Sequence, residues 1–374
     1  MKIKIRKFSV IFLIILIVNL LSTFSISAAT ITNKQLKRYI KKMSLDEKLG
    51  QLYLVPSNGD ATAMSQAIQK YHLGGVVLFG NDFTGNKEQF TAKLQQMQAS
   101  SSLPLFIATD QEGGTVSRLS NDPALTNQRK FPSPREVYQA KGLSGLLQEN
   151  VATAKILKGL GINWNFAPVA DVTDDPQSFM YERTVGLDYK QTAAYIAKTV
   201  KQQQKQNEIA TLKHFPGYGA SQDTHTGFAQ NNKDLQALQK EDLLPFKAGI
   251  KANVDSIMIT HLVVNAIDDQ YPASLSKKVH TYLRKKLKYR NLIVTDDLGM
   301  GAISDFVKKT NENADVVAFM AGNDVLLSSN YQTGIPALKQ ALKDKKITQK
   351  QIDQSVYRIL KTKVKRKILR SLPG

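Results

Sequence analysis

An aspartate and a histidine two residues apart, Asp223 and His225, lie in the stretch Lys213-His214-Phe215-Pro216-Gly217-Tyr218-Gly219-Ala220-Ser221-Gln222-Asp223-Thr224-His225-Thr226-Gly227. In an extended segment, residues i and i+2 project to one side, so the carboxylate can fix the imidazole tautomer and raise its proton affinity. Such a pair can serve as a general acid/base near neutral pH. Taken by itself, Asp-x-His also fits an ordinary surface-loop pair. Gly217, Gly219 and Gly227 would let the segment move over a bound ligand and bring the pair in. A second constellation is Val294-Thr295-Asp296-Asp297-Leu298-Gly299-Met300. Adjacent carboxylates at a strand end point to opposite sides, so one can face a site while the other turns to a neighbouring element. The facing carboxylate would be a nucleophile, a metal ligand or a cap for the following helix. A metal site would draw on His214, His225, His261 and Asp110, but neither a His-x-His nor a His-x-x-x-His spacing is present, and no metal is expected.

The elements that must position these groups follow a rhythm. Short apolar runs at 75–79, 103–110, 162–171, 209–214, 256–261, 292–297 and 324–328, with 52–55 as a candidate eighth, are separated by amphipathic stretches long enough for helices. Ahead of them, a basic helix is expected from Asn33 to Lys42, and Ser44-Leu45-Asp46-Glu47 is a capping box opening another. Near-continuous apolar strands alternating with helices indicate a parallel sheet covered on both faces, an α/β class. Several runs finish in polar residues: Asp110, Asp171, Lys213 with His214, His261, and Asp296 with Asp297. In a (β/α)8 TIM-type barrel the C-terminal strand ends converge on one mouth, where such folds hold their chemistry. A doubly wound open sheet is the alternative, but no G-x-G-x-x-G follows the first strand. One barrel over residues 30–374, with room for irregular first strands, is the expectation. No Pro/Gly/Ser linker, low-complexity block or internal repeat divides the chain.

Residues 1–29 read as a leader: Lys2, Lys4, Arg6 and Lys7 precede a mostly apolar run from Phe8 to Val18, and Ser27, Ala28 and Ala29 offer a cleavage site. The alternative is an uncleaved N-terminal anchor, because Leu20, Leu21 and Phe24 extend the run. Both put the folded part outside the cytoplasm, secreted or attached to the cell envelope. The absence of cysteine excludes disulfides, thiol catalysis and thiolate metal sites. The formal net charge is +20, and removing the four cations of the leader leaves +16. A balance of that kind attracts polyanions, and for an exported protein an anionic cell wall or membrane surface is the expected one rather than nucleic acid.

Five stretches taken together resemble glycoside hydrolase family 3, in its β-N-acetylglucosaminidase branch. They are Asp110-Gln111-Glu112-Gly113-Gly114-Thr115-Val116-Ser117-Arg118-Leu119, Asn165-Phe166-Ala167-Pro168-Val169-Ala170-Asp171-Val172, the Lys213-His214-Phe215-Pro216-Gly217 stretch, Thr295-Asp296-Asp297-Leu298-Gly299-Met300, and Ala321-Gly322-Asn323-Asp324. The similarity runs in order from about residue 45 to about residue 330. The resemblance implies that Asp296 is a nucleophile forming a glycosyl-enzyme intermediate and that His225, held by Asp223, is the general acid/base. It implies that Asp110, Arg183, Lys213 and His214 hold the sugar and that no metal or organic cofactor is needed; a monomer is expected. The implied reaction removes terminal β-linked N-acetylglucosamine (GlcNAc) with retention, from peptidoglycan fragments in which it is joined to N-acetylmuramic acid (MurNAc). A family 3 β-glucosidase, a GlcNAc phosphorylase and a non-catalytic wall-binding protein are the alternatives. The chain departs from the resembled pattern at Tyr218, where histidine is common, at Thr224, where serine is common, at Phe228-Ala229, and around Arg183.

Overall fold

A computed structural model describes residues 31–373 apart from residue 220. The leader assigned to residues 1–29 therefore lies outside the described residues. Eight parallel strands form the central sheet: β1 (Tyr53–Pro56), β2 (Gly75–Leu78), β3 (Phe106–Thr109), β4 (Trp164–Asn165), β5 (Ile209–Phe215), β6 (Ser256–Ile259), β7 (Leu292–Thr295) and β8 (Leu326–Leu327). Their spatial order is β7-β6-β5-β4-β3-β2-β1-β8, and a parallel bridge between Val294 and Val325 joins the two ends. The sheet thus closes as a (β/α)8 barrel. Its strands are apolar on both sides because the inner layer and the surrounding helices each need a buried face. Residues such as Leu54, Val76, Ile107, Ile257 and Ile293 are fully buried. Truncating one of them, Ile257→Ala for instance, is worth about 2–5 kcal/mol of lost packing.

The helices begin where their caps dictate. Thr32 and Ser44 each accept a hydrogen bond from the backbone three residues on, while Gln35 and Glu47 reach back to the cap, completing capping boxes for Asn33–Lys42 and Leu45–Gly50. No helix among the described residues is long and apolar enough to cross a membrane.

The irregularity expected of the first strands falls elsewhere. β1 and β2 are four residues each and pair in regular parallel register. The short strands are β4 and β8, two residues each. In β4 the regular pairing covers only Trp164 and Asn165, although single sheet hydrogen bonds run on, Phe166 N–H to the Thr109 carbonyl at 3.0 Å and Thr211 N–H to the Ala167 carbonyl at 2.9 Å, up to Pro168, which has no N–H to donate. The chain then rejoins the sheet through Ala170, whose N–H donates to the Lys213 carbonyl at 2.8 Å, and this return delivers Asp171 to the barrel mouth. After β3, an antiparallel pair of Gln111–Gly113 with Val116–Ser117 folds back over the mouth and presents Glu112.

Candidate active site

The polar strand ends meet. Lys213, in the last turn of β5, places its Nζ 2.6 Å from Asp110 Oδ1 and 2.6 Å from Glu112 Oε1. Arg183 grips the same Glu112 in a two-pronged contact, Nε to Oε2 at 3.0 Å and Nη2 to Oε1 at 2.8 Å. Burial works against the Glu112 charge, but Arg183 and Lys213 outweigh it and hold its carboxyl at about 2. Lys213 is likewise kept protonated: Asp110 and Glu112 more than offset the effect of burial. Arg183 Nη2 also lies 3.4 Å from His214 Nε2.

His214 follows Lys213, yet both side chains belong to one cluster because the register between β5 and β6 shifts between Leu212 and Phe215, interrupting the strand alternation. Asp171 Oδ2 accepts from the His214 backbone N–H at 2.9 Å and faces His214 Nδ1 at 2.8 Å. A carboxylate only accepts, so Nδ1 carries the hydrogen and Nε2 is left toward Arg183 and the site interior. Asp171 Oδ1 takes the backbone N–H of Tyr218 at 2.8 Å.

Asp296, just beyond β7, has Oδ2 4.0 Å from His214 Nε2 and Oδ1 accepting from the Asp297 N–H at 2.9 Å. Burial opposes its ionisation; the imidazoles of His214 and His261, the Asp297 N–H and the Lys213 ammonium together outweigh it, so its carboxyl titrates below the ordinary aspartate range. Asp297 takes the other role foreseen for the pair. Its Oδ1 accepts the Gly299 N–H at 2.9 Å, closing the turn into helix Gly301–Thr310, and burial pushes its carboxyl up. His261, beyond β6, faces the Asp297 carbonyl through Nε2 at 2.8 Å and Ser274 Oγ through Nδ1 at 2.7 Å. A carbonyl only accepts, so Nε2 holds the hydrogen and this histidine is a buttress for the Asp296-Asp297 turn.

The Asp223 and His225 pair forms, with Oδ1 2.6 Å from Nδ1, on a more open part of the mouth where the His225 side chain is 60% exposed. It forms in a turn and not in the extended segment expected: the same Oδ1 accepts the His225 backbone N–H at 3.0 Å. The segment is moored on both sides. The Thr224 carbonyl accepts from the Ala302 N–H at 3.1 Å, at the start of the helix that follows Asp296, and the Ala229 carbonyl accepts from the Val263 N–H at 3.0 Å. His225 lies close enough for its charge to act on both His261 and Asp297. Gly217, Gly219 and Gly227 adopt φ of +130°, +57° and +152°, so their glycine character is a backbone requirement in addition to any freedom to move.

All seven residues singled out in the sequence, Asp110, Arg183, Lys213, His214, Asp223, His225 and Asp296, thus lie around one mouth. Glu112, Asp171 and His261 were not assigned a part in the sugar site by sequence reasoning. Glu112 and Asp171 stand inside two of the resembling stretches, which was the available signal. Among the described residues, no three His, Asp or Glu side chains are grouped to hold a metal ion. The arrangement provides a half-buried carboxylate kept ionised, a cradle of fixed charges suited to sugar hydroxyls, and an exposed imidazole backed by a carboxylate.

Comparison with known proteins agrees with this geometry. The model of the glycosyl hydrolase family 3 N-terminal domain matches residues 44–362. The chain is 32% identical over 345 residues to beta-hexosaminidase A of Pseudoalteromonas piscicida, covering 81% of this chain and 55% of that protein. It is 32% identical over 329 residues to the beta-hexosaminidase LpqI of Mycobacterium tuberculosis, covering 85% of this chain and 82% of that one. A solved family 3 beta-N-acetylglucosaminidase from Paenibacillus sp. FPU-7 superposes with a TM-score of 0.79 at 31% identity, covering 87% of this chain and 63% of that chain. The chain therefore spans little more than half the length of the Pseudoalteromonas relative and under two thirds of the Paenibacillus structure.

Proposed function

This chain belongs to glycosyl hydrolase family 3, and on that premise we propose that it is a retaining exo-β-N-acetylglucosaminidase. Asp296 attacks the anomeric carbon as the bond to the leaving oxygen breaks, and His225, oriented by Asp223, delivers a proton to that oxygen. His225 then takes a proton from water as the water attacks the glycosyl-Asp296 ester, releasing the sugar with its original configuration. Asp110, Arg183, Lys213 and His214 hold the non-reducing sugar. An imidazole donor suits a site where a second carboxylate would repel Asp296.

One observation bears most of this reading: a half-buried carboxylate kept ionised sits beside His214 at a barrel mouth that also bears the Asp223–His225 pair. The names of the Mycobacterium and Paenibacillus relatives support the sugar specificity. GlcNAc–MurNAc fragments of peptidoglycan are the substrate we infer, met outside the cytoplasm by a monomer consisting of a removable leader at 1–29 and one catalytic barrel at 30–374. The basic surface favours an anionic wall or membrane over nucleic acid in that compartment. No metal or organic cofactor takes part.

The test is turnover of nitrophenyl β-N-acetylglucosaminide against nitrophenyl β-glucoside, with release of free GlcNAc scored against GlcNAc-1-phosphate in phosphate buffer. Preference for the first substrate, free GlcNAc as product, and a covalent adduct on Asp296 after treatment with a fluorinated glycosyl reagent are expected. Asp296→Asn should lose activity by on the order of 10³-fold or more. An adduct on another residue, or wall binding without turnover, would remove the proposal.

A further inference from the structure

Between residues 221 and 228 the only buried residue is Thr224, with no measurable exposure, while its neighbours Asp223 and His225 reach toward solvent. Its side chain is held by Tyr218, itself 2% exposed. The Tyr218 hydroxyl lies 2.5 Å from Thr224 Oγ1, and its oxygen also accepts the Thr224 backbone N–H at 3.0 Å. One phenol therefore holds both the side chain and the backbone of the residue that separates the two members of the pair. Burial pushes the phenol well above its ordinary range, so it stays protonated throughout the working range, and the charges of Asp296 and Asp223 act in the same direction.

Tyr218 is tied in turn to the sugar site. Asp171 accepts the Tyr218 N–H on one oxygen and His214 on the other, and the Tyr218 ring packs edge-on against His214 with centroids 5.5 Å apart. Hydrogen bonds from His214 to Asp171 and on to the Tyr218 backbone N–H, and from the Tyr218 phenol to Thr224, join the floor of the site to the segment bearing His225 through the body of Tyr218. Phe179 packs edge-on against the same phenol ring at 5.0 Å, and the Arg183 guanidinium lies 5.8 Å from the Phe179 ring centroid, so the ring has little room to swing away.

We propose that Tyr218 is a positioning residue that grips Thr224 and so sets where His225 meets the leaving group, linking that position to the His214–Asp171 pair beneath the sugar. This role rests on the assignment of His225 as acid/base. Tyr218 touches neither substrate nor the reacting atoms; it acts through Thr224. Its loss should therefore be felt where proton donation matters and not where it does not.

The discriminating measurement is kcat/KM, which reports cleavage of the glycosidic bond, for an N-acetylglucosaminide whose leaving group needs a proton, such as GlcNAc–MurNAc, and for the 2,4-dinitrophenyl glycoside, whose phenolate departs unaided. Tyr218→Phe should lower the first by about 10- to 100-fold, the penalty typical of a modest misplacement of a catalytic group, with the second nearly unchanged. Thr224→Val should reproduce that split, and Thr224→Ser, which retains a hydroxyl, should recover most of the loss. Thermal melting of each variant identifies any that fail to fold, and the split for the remaining one decides. Equal losses on both substrates, or wild-type behaviour of folded Tyr218→Phe and Thr224→Val on GlcNAc–MurNAc, would overturn the role. His225→Ala separates the two levels. If it is itself active on GlcNAc–MurNAc, the acid/base assignment falls and takes the Tyr218 role with it; if it shows the split and Tyr218→Phe does not, only the Tyr218 role falls.

Discussion

Glu112 is enclosed, touched by one guanidinium and one ammonium, and held at about 2 where the ordinary value is 4.5. A folded-state value below the unfolded one means stability that is present above about pH 4.5 and is lost as pH falls toward 2. The difference corresponds to about 3 kcal/mol. Glu112→Gln leaves Arg183 and Lys213 without the carboxylate that contacts both, with Asp110 still on Lys213. Breaking such a pair on one side costs about 3–5 kcal/mol. A lower urea midpoint at pH 7 is expected, together with a shallower fall in stability between pH 4.5 and 2. An unchanged midpoint would mean that the cluster relaxes by admitting water. Because Arg183 and Lys213 are held by Glu112 and the sugar site is built from them, KM should rise in the same variant.

The loop from Tyr218 to Ala229 and the helix Gly301–Thr310 form one mechanical unit, because the helix starts where the loop touches it. A Cβ built on Gly301 would stand 2.6 Å from the His225 carbonyl oxygen and 3.0 Å from the Gly227 nitrogen. Alanine is a good residue in the first turn of a helix, so Gly301→Ala should leave folding intact while forcing the loop away. The expected result is a melting temperature within a few degrees of wild type and a loss of about tenfold or more on substrates that need a proton donor. Full activity would show that the loop does not rest on this helix in solution. Gly217 has a similar constraint from the other side, where a Cβ would come within 2.6 Å of the Asp242 Cβ.

Charge acts over the whole molecule. Helix Asn33–Lys42 contains no acidic residue, and its Lys34, Lys37, Arg38 and Lys41 line one surface hollow. Lys37 and Lys361, from two helices packed together, stand 5.8 and 5.9 Å from the centre of the same Tyr357 ring, which concentrates like charge there. With a formal net charge of +16 once the four cations of the leader are gone from the +20 of the full chain, retention on purified anionic walls should be strong at low salt and fall steeply between about 50 and 500 mM, as the screening length shrinks below 10 Å. Retention that persists at high salt would point to specific glycan contacts instead. Hydrolysis of a small uncharged aryl glycoside should change little over the same range.

The succession of apolar runs, the polar residues closing them and the Asp-x-His pair were all legible in the linear chain, because strand burial, strand-end chemistry and short-range contacts are local properties written in residue type and spacing. The pair itself is made by a turn in which Asp223 also accepts the His225 N–H, and not by strand alternation. The length of the fourth strand was misjudged from the apolar run 162–171, since regular pairing covers only Trp164 and Asn165. The role of Glu112 was not legible. A glutamate beside Asp110 in a stretch of the right pattern says nothing about which cations surround it, and Arg183 lies 71 residues away in sequence. The same holds for Thr224. Between two polar neighbours it reads as an exposed loop residue, yet it is buried, with the phenol of Tyr218, six positions upstream and just beyond β5, on its hydroxyl and the Ala302 N–H on its carbonyl. Barrel closure creates these contacts between separate segments, and the charge states and moorings that arise from them belong to the folded molecule rather than to any stretch of chain.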